Sequence, residues 1–212
     1  MNEKALEFFG ALSKEAREDS VKLANNTDFS ELDAKFILKY ANEKSHILDL
    51  GSGSGLIVNK IYPYVEKIVC VDFYQEFTKF IAKNEKITII NEDLFSFNTQ
   101  EKFDIVSAFG VMHYVNEQEA QELYQKYQQF LKPQGGGLFI IKNQFGIKET
   151  INVSGYSQEQ KREYYSQYRY IEREKQILKD LGFEIIEVCD IYPKEANRWE
   201  NTHFWAIVGK LA

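Results

Sequence analysis

Three glycines at alternate positions, Gly51, Gly53 and Gly55, follow the apolar run of residues 47–50. An apolar run that ends at glycine predicts a buried strand leading into a tight turn. Glycine also lets the backbone approach a ligand without a Cβ atom in the way. Residues 56–61 have the pattern of a helix start, and the N-terminus of a helix attracts anionic groups. This stretch therefore predicts a site for a nucleotide-like cofactor.

The spacing of this loop separates the possible cofactors. A dinucleotide-binding loop has a glycine at its sixth position, where this chain has Leu56. The loop is instead G-x-G-x-G, and the carboxylate of Asp49 before it would repel a pyrophosphate but suit an ammonium group. S-adenosylmethionine (SAM) carries an amino acid, and hence an ammonium group. In Asp49 and G-x-G-x-G the sequence resembles the class I SAM-dependent methyltransferases. A NAD(P)-binding oxidoreductase is the alternative, which Leu56 disfavours.

Two further acidic residues follow predicted strands. Asp72 ends the apolar run of residues 67–72, at the distance from Gly51 that one crossover helix and a parallel neighbour strand need. A carboxylate there can accept hydrogen bonds from both ribose hydroxyls, or it can cap the next helix. The resemblance places Asp93, or its neighbour Glu92, against the adenine amino group, because a carboxylate only accepts hydrogen bonds.

The resemblance implies SAM as the methyl donor and S-adenosylhomocysteine (SAH) as the product. Phe73 is expected to pack on the adenine. The expected cofactor-binding residues are Asp49, Gly51, Ser52, Gly53, Gly55, Asp72, Phe73, Asp93, Leu94 and Phe109. No set of cysteines and histidines has metal-ligand spacing, so we expect no metal.

Candidate acceptor-binding residues lie after the fourth predicted strand and in the last third of the chain. His113 is expected near the switch in strand order, where ligands bind in open α/β sheets, as a packing residue, a substrate contact or a general base. Arg169 and Arg198 can each grip an anionic group, and His203 can orient the acceptor or accept its proton. The expected catalytic residues are His203 and His113, and the expected substrate-binding residues are Tyr156, Tyr165, Tyr168, Arg169, Arg198 and Trp199.

The last third of the chain is similar to small bacterial methyltransferases associated with the decoration of surface or capsular polysaccharide. The similarity rests on S-G-Y-S at 154–157, Y-R at 168–169, D-I-Y-P at 190–193, N-R-W at 197–199 and T-H-F at 202–204. We therefore expect O-methylation of a small polar, anionic acceptor, such as a phosphate, a phosphoramidate or a sugar-nucleotide precursor. A non-catalytic SAM-binding subunit is the remaining alternative, because no residue here is obligatory for the chemistry.

The elements that must position these residues alternate between strands and helices, which predicts an α/β fold. We expect a seven-stranded, mostly parallel Rossmann-like sheet with the last strand antiparallel and helices on both faces. Residues 1–30 and 143–170 are expected to form a helical lid, although ordinary packing explains both segments too. The length of 212 residues fits a single domain over residues 1–212.

Charge and hydropathy limit the partners. The net charge of −6 disfavours nucleic acid, which needs a basic face. No run approaches the ~20 apolar residues of a membrane span, and the N-terminus lacks a signal-peptide core. We expect a cytoplasmic protein with a small-molecule acceptor, no nucleic-acid or membrane partner, and an oligomeric state that the sequence leaves open. Cys70 and Cys189 lie in apolar runs and are expected to be reduced, buried thiols.

Overall fold

The computed structural model describes residues 3–19, 23–24, 27–133, 136–158, 161–197 and 200–212. In chain order these form α1 (Glu3–Lys14), β1 (Leu23–Ala24), β2 (Thr27–Asp28), α2 (Ser30–Leu38), β3 (His46–Leu50), α3 (Val58–Ile61), β4 (Lys67–Val71), α4 (Gln75–Thr78), β5 (Ile87–Ile90), β6 (Ile105–Phe109), α5 (Glu117–Gln128), β7 (Leu138–Gly146), β8 (Ile151–Ser157), β9 (Arg162–Tyr168), α6 (Ile171–Asp180), β10 (Phe183–Asp190) and β11 (Thr202–Leu211). Single 3₁₀ turns lie at Tyr62–Tyr64, Met112–Tyr114 and Lys194–Ala196.

Seven strands form one mixed sheet in the order β10-β11-β7-β6-β3-β4-β5. β3 pairs in parallel with both β4 and β6, β5 extends the sheet beyond β4, and β7 extends it beyond β6. β11 runs antiparallel to both β7 and β10. The predicted mostly parallel, seven-stranded sheet with an antiparallel last strand is confirmed. Because the strand order switches between β3 and β6, the loops after these strands open a crevice at the carboxyl edge.

Both faces of the sheet are covered by helices. Successive side chains of a strand point to opposite faces, so Leu48 joins one buried cluster and Ile47 another. The first cluster includes Leu123 of α5, and the second includes Ile37 of α2. Central strands that are buried on both faces have continuous apolar sequences, which is why β3, β4 and β6 are recognisable in the sequence.

Residues 143–170 form strands where the sequence predicted a helical lid. β7 continues to Gly146, and β8 and β9 then form an antiparallel hairpin. Tyr164 and Tyr168 have the i, i+4 spacing of a helix, but the buried Ser166 lies between them on the same face of β9, which is the two-residue period of a strand. The helical prediction for this segment is wrong. It is confirmed for α1.

The hairpin and α1 lie against each other. The Phe8 ring of α1 meets the Tyr164 ring of β9 edge to face, with 5.4 Å between centroids. Arg162 of β9 pairs with Glu15, just after α1, at 3.1 Å. The two segments predicted to form a lid are therefore in contact, and their movement as a lid stays a prediction. No described helix is long and apolar enough to cross a membrane.

Candidate active site

A pocket with about 770 Å³ of empty space opens at the carboxyl edge of the sheet. This volume is in the range of small-molecule sites. Its lining combines glycines, aromatic rings and two carboxylates, and the described lining residues include no cationic side chain. The lining residues are Leu6, Phe9, Gly51, Gly53, Asp72, Phe73, Tyr74, Phe77, Asp93, Leu94, Phe109, Gly110, Val111 and Tyr114.

The glycine loop after β3 forms one wall of the pocket. Gly51 has φ +65°, a left-handed conformation that a side chain disfavours. A Cβ atom there would lie 2.4 Å from Cγ2 of Val111, another lining residue. At Gly55 a Cβ atom would lie 2.6 Å from Ile81, so this glycine allows close packing, and it is not among the described lining residues. The loop thus needs glycine for two different reasons.

Asp72 follows β4 and ties the glycine loop to the neighbouring strand. Its Oδ2 accepts a hydrogen bond from the Gly53 N–H at 2.8 Å, and its Oδ1 accepts one from the Tyr74 N–H at 2.9 Å. A carboxylate has about four lone-pair positions, so these two bonds leave it able to accept more. Tyr74 in turn donates from its hydroxyl to the Leu6 carbonyl at 3.0 Å, which holds α1 at the pocket. Burial raises the pKa of Tyr74, and the charges of Asp72 and Asp93 raise it further.

Asp93 lies at the opposite end of the pocket, after β5. Its Oδ1 accepts a hydrogen bond from the Phe95 N–H at 2.7 Å, which closes a local turn and orients the carboxylate. Leu94 beside it and the half-exposed ring of Phe73 also line this end. Glu92, the neighbouring alternative, is not among the described lining residues.

Asp49 and Ser52 lie beneath the loop and are not among the described lining residues. Asp49 is 4% exposed, and its Oδ1 accepts a hydrogen bond from the Ser107 hydroxyl at 2.7 Å. The Ser52 hydroxyl donates to the Asp49 carbonyl at 3.0 Å. Burial raises the pKa of the Cys70 thiol, and the nearby negative charge of Asp49 raises it further. Asp49 thus supports the loop from below, and its contact with an ammonium group stays a prediction.

His113 lies in the turn after β6, behind the pocket wall. Its Nδ1 is 3.1 Å from Oδ1 of Asn143 on β7. The Cε1 edge of its ring is 4.0 Å from the position of a Cβ atom on Gly110, which lines the pocket. The adjacent Tyr114 lines the pocket directly. The sequence analysis missed Tyr114 and Tyr74, although each directly follows a residue that it selected.

The predicted substrate tyrosines take different positions on the hairpin. Tyr168 is buried, Tyr165 is half-buried and Tyr156 is exposed. The Tyr168 hydroxyl lies 3.3 Å from that of Tyr164, which accepts a hydrogen bond from Ser166 at 2.6 Å. The ring of Tyr164 meets that of Tyr114 at 6.3 Å, so Tyr164 and Tyr168 form the face of the hairpin that is nearest the pocket.

Arg169 does not reach the pocket, contrary to the prediction that it holds the substrate. It is 2% exposed, and its guanidinium donates two hydrogen bonds to Glu174 at 2.6 and 2.9 Å and one to the Val115 carbonyl at 2.7 Å. Burial works to lower its pKa, but the Glu174 carboxylate raises the pKa above the ordinary arginine value. Glu174 lies in the first turn of α6, five residues later, where it can fold back on Arg169.

The remaining predicted residues are spread over the C-terminal hairpin. His203 of β11 contacts the Asp190 carboxylate through Nε2 and the Asn197 side chain through Nδ1, and it is not among the described lining residues. Arg198 and Trp199 lie outside the described residues. In the part of the chain that the structure describes, no three His, Cys, Asp or Glu side chains converge as metal ligands.

Comparisons with known proteins give a family match and a shared fold. Residues 47–135 match a family model described as a methyltransferase domain. No curated protein matches the chain significantly. A solved DhpI–SAH complex aligns with a TM-score of 0.75 at 14% identity, covering 100% of this chain and 99% of that chain.

Two further solved structures have the same fold. The N-methyltransferase NodS from Bradyrhizobium japonicum WM9, in complex with SAH, aligns with a TM-score of 0.69 at 16% identity, covering 96% of this chain and 98% of that one. A Burkholderia thailandensis 1,6-didemethyltoxoflavin-N1-methyltransferase, with bound 1,6-didemethyltoxoflavin and SAH, aligns with a TM-score of 0.71 at 13% identity, covering 98% and 86%. The chain therefore contains a methyltransferase domain within a Rossmann-like methyltransferase fold.

Proposed function

We propose that the chain is a SAM-dependent methyltransferase that methylates an oxygen atom of a small polar molecule. The observation that carries this proposal is the order of groups along the carboxyl edge of the sheet. Asp93 follows β5, Asp72 follows β4, and the glycine loop follows β3, all lining one pocket. This order fits an elongated ligand with adenine at Asp93, ribose at Asp72 and an amino acid at the loop.

The charge of the pocket supports SAM over a dinucleotide. The described lining residues include two carboxylates and no cation. A pyrophosphate would meet like charge without a cationic partner, whereas a ligand with an ammonium group and a positively charged sulfur suits this potential. SAM, when bound, supplies a methyl group activated by that sulfur. Asp72, Asp93, Phe73 and the backbone of Gly51 and Gly53 are the residues that would hold it, with Leu94 and Phe109 completing the walls.

The main task of the chain in this reaction is positioning. An acceptor atom must lie about 3–3.5 Å from the methyl carbon, in line with the bond that breaks. Phe9 of α1 and Tyr114 stand edge to face, with ring centroids 4.7 Å apart, at the pocket that both line. We infer that α1 and the β8–β9 hairpin close over the acceptor and exclude water, so that both belong to one domain with the sheet.

The acceptor is proposed to be a small molecule, as the bound 1,6-didemethyltoxoflavin is in the Burkholderia thailandensis structure. An anionic acceptor such as a phosphate or phosphoramidate now depends on Arg198, because Arg169 is paired with Glu174. The neutral hydroxyl groups of Tyr164, Ser166 and Tyr168 favour a hydroxyl-bearing acceptor instead. A precursor of surface polysaccharide is one such class, and it rests on the sequence similarity alone.

The experiment is a measurement of SAH release from SAM by the purified chain. A panel of small alcohols, phenols, sugar nucleotides and phosphate esters is tested, and the methylated product is identified by mass spectrometry. We expect SAH release above the acceptor-free rate with at least one hydroxyl-bearing compound, and a product methylated on oxygen. Tight SAH binding without release for any compound would instead favour a non-catalytic SAM-binding subunit, and methylation on nitrogen would refute the O-methylation assignment.

A further inference from the structure

The order of groups along the sheet also locates the side of the pocket that faces the acceptor. If adenine lies at β5, ribose at β4 and the amino acid at β3, the ligand runs toward β6, and the next strand in the sheet is β7. Residues at the carboxyl end of β7 and in the turn after β6 therefore stand beside the transferred methyl group. His113 and Asn143 are two such residues, and this inference rests on the proposed methyl transfer.

Asn143 has an unusual environment for an amide. It is 1% exposed, and its Oδ1 lies 3.1 Å from Nδ1 of His113. Its Nδ2 is buried and has no hydrogen-bond partner among the described residues. Buried amide groups are nearly always satisfied, so an exception calls for a reason. The contact with His113 is thus the contact that orients this amide.

The contact with Oδ1 decides which nitrogen of His113 carries the proton. A neutral imidazole has one donor and one acceptor nitrogen, and an amide oxygen can only accept. Nδ1 must therefore be the donor, and Nε2 keeps its lone pair. The ring is held in place by Tyr114 and Tyr168, at 4.1 and 5.8 Å between centroids. Its Cε1 edge, which joins the two nitrogens, faces Gly110 of the pocket wall.

We propose that Asn143 is a positioning residue that holds His113 as the Nδ1–H tautomer, so that Nε2 accepts the proton of an acceptor hydroxyl. The acceptor oxygen gains the methyl carbon as it loses its proton to Nε2, and the electron pair of the broken carbon–sulfur bond remains on sulfur. The charges balance, because the sulfur becomes neutral and the imidazole becomes positive. Proton acceptance of this kind contributes about 10²–10⁴-fold to a rate.

The test is long-range ¹H–¹⁵N NMR of the imidazole rings in the ligand-free protein at a pH where His113 is neutral. The chain has three histidines, and the signal missing from the His113→Gln variant assigns His113. We expect a protonated Nδ1 and a bare Nε2 in the wild-type protein. A protonated Nε2 with a bare Nδ1 would overturn the proposal without reference to any variant or acceptor.

Two variants of Asn143 separate positioning from packing. Asn143→Ala should give a mixture of tautomers. Asn143→Asp should keep His113 doubly protonated to higher pH, because a carboxylate beside Nδ1 favours the charged ring. The flanking Tyr114 and Tyr168 titrate far above this range. Asn152→Ala is the matched control, because this exposed asparagine bonds to Gln167 on the hairpin. Unchanged His113 signals in both Asn143 variants would contradict the proposal.

Kinetics with an acceptor identified by SAH release gives the second readout. Asn143→Ala and His113→Gln should each lower kcat at least 10-fold, with SAH affinity unchanged within about threefold. Full kcat in both variants would refute a role in proton acceptance. SAH affinity is measured separately by calorimetry, so that loss of cofactor binding, which would contradict the proposed function, is distinguished from loss of positioning.

Discussion

Replacement of Arg169 by methionine tests whether this arginine serves the fold or the substrate. The side chain is 2% exposed and its three hydrogen bonds go to Glu174 and the Val115 carbonyl. The variant leaves Glu174, which is fully buried, as an unpaired carboxylate. Removing one partner of a buried ion pair costs about 3–5 kcal/mol. For a domain of this size that lowers the melting temperature by about 6–20 °C.

Thermal unfolding followed by circular dichroism measures this loss. Arg173→Ala is the matched control, because Arg173 pairs with Glu117 at the surface, where such pairs contribute about 0–1 kcal/mol. The double variant Arg169→Met with Glu174→Gln should recover part of the loss, because it removes the unpaired charge. The glutamine still offers an acceptor to the Tyr124 hydroxyl, which bonds to Glu174 in the structure.

The alternative reading, in which Arg169 holds an anionic acceptor, predicts a different result. The melting temperature of Arg169→Met would then stay within about 2 °C of the wild type, and the acceptor's KM would rise. Such a result would refute the structural role that we assign to Arg169. Loss of stability with no recovery in the double variant would show that packing of the guanidinium, rather than its charge, stabilises this region.

Three further predictions concern the glycine loop, the strand ends and the thiols. Gly51→Ala should abolish SAH binding in calorimetry, because its Cβ would lie 2.4 Å from a side-chain atom of the opposite wall, whereas Gly182→Ala, at a positive φ with open space around it, should leave the affinity unchanged. Asp72→Ala should weaken SAH binding about 10- to 150-fold, since hydrogen bonds to a charged group contribute about 1.5–3 kcal/mol; equal affinity would mean that Asp72 serves the loop alone. A thiol reagent at pH 8 should modify one cysteine in the folded protein and two in denaturant, because burial raises the pKa of the fully buried Cys70 more than that of the partly exposed Cys189; two reactive thiols in the folded protein would contradict the packing of β4.

The sheet was predictable because its central strands carry the information locally. β3, β4 and β6 are continuous apolar runs, and glycine or aspartate follows each at the point where the chain turns. Asp72, Asp93 and Phe73 lie at strand ends whose places in the sheet follow from the order of the elements, and all three do line the pocket.

The acceptor side was less predictable because its residues are positioned by long-range contacts. The tyrosines of β9 have a spacing that suits a helix as well as a strand, and pairing with β8 decides between them. Arg169 is a charged residue in a polar segment, and only the fold shows that it lies against Glu174 inside the protein. Asn143 gave no signal in the sequence, because its partner His113 lies on the neighbouring side of the sheet edge, 30 residues away.

The measurement that tests the central claim most directly is the melting temperature of the wild-type chain with SAH, with SAM and with NAD. A ligand at 100 times its dissociation constant adds about 2.7 kcal/mol to the stability of the folded state, which corresponds to a rise of about 5–11 °C for this chain length. The order of Asp93, Asp72 and the glycine loop along one pocket predicts this rise for SAH and SAM and no change for NAD. A rise with NAD, together with none for SAH or SAM, would contradict the assignment of the pocket.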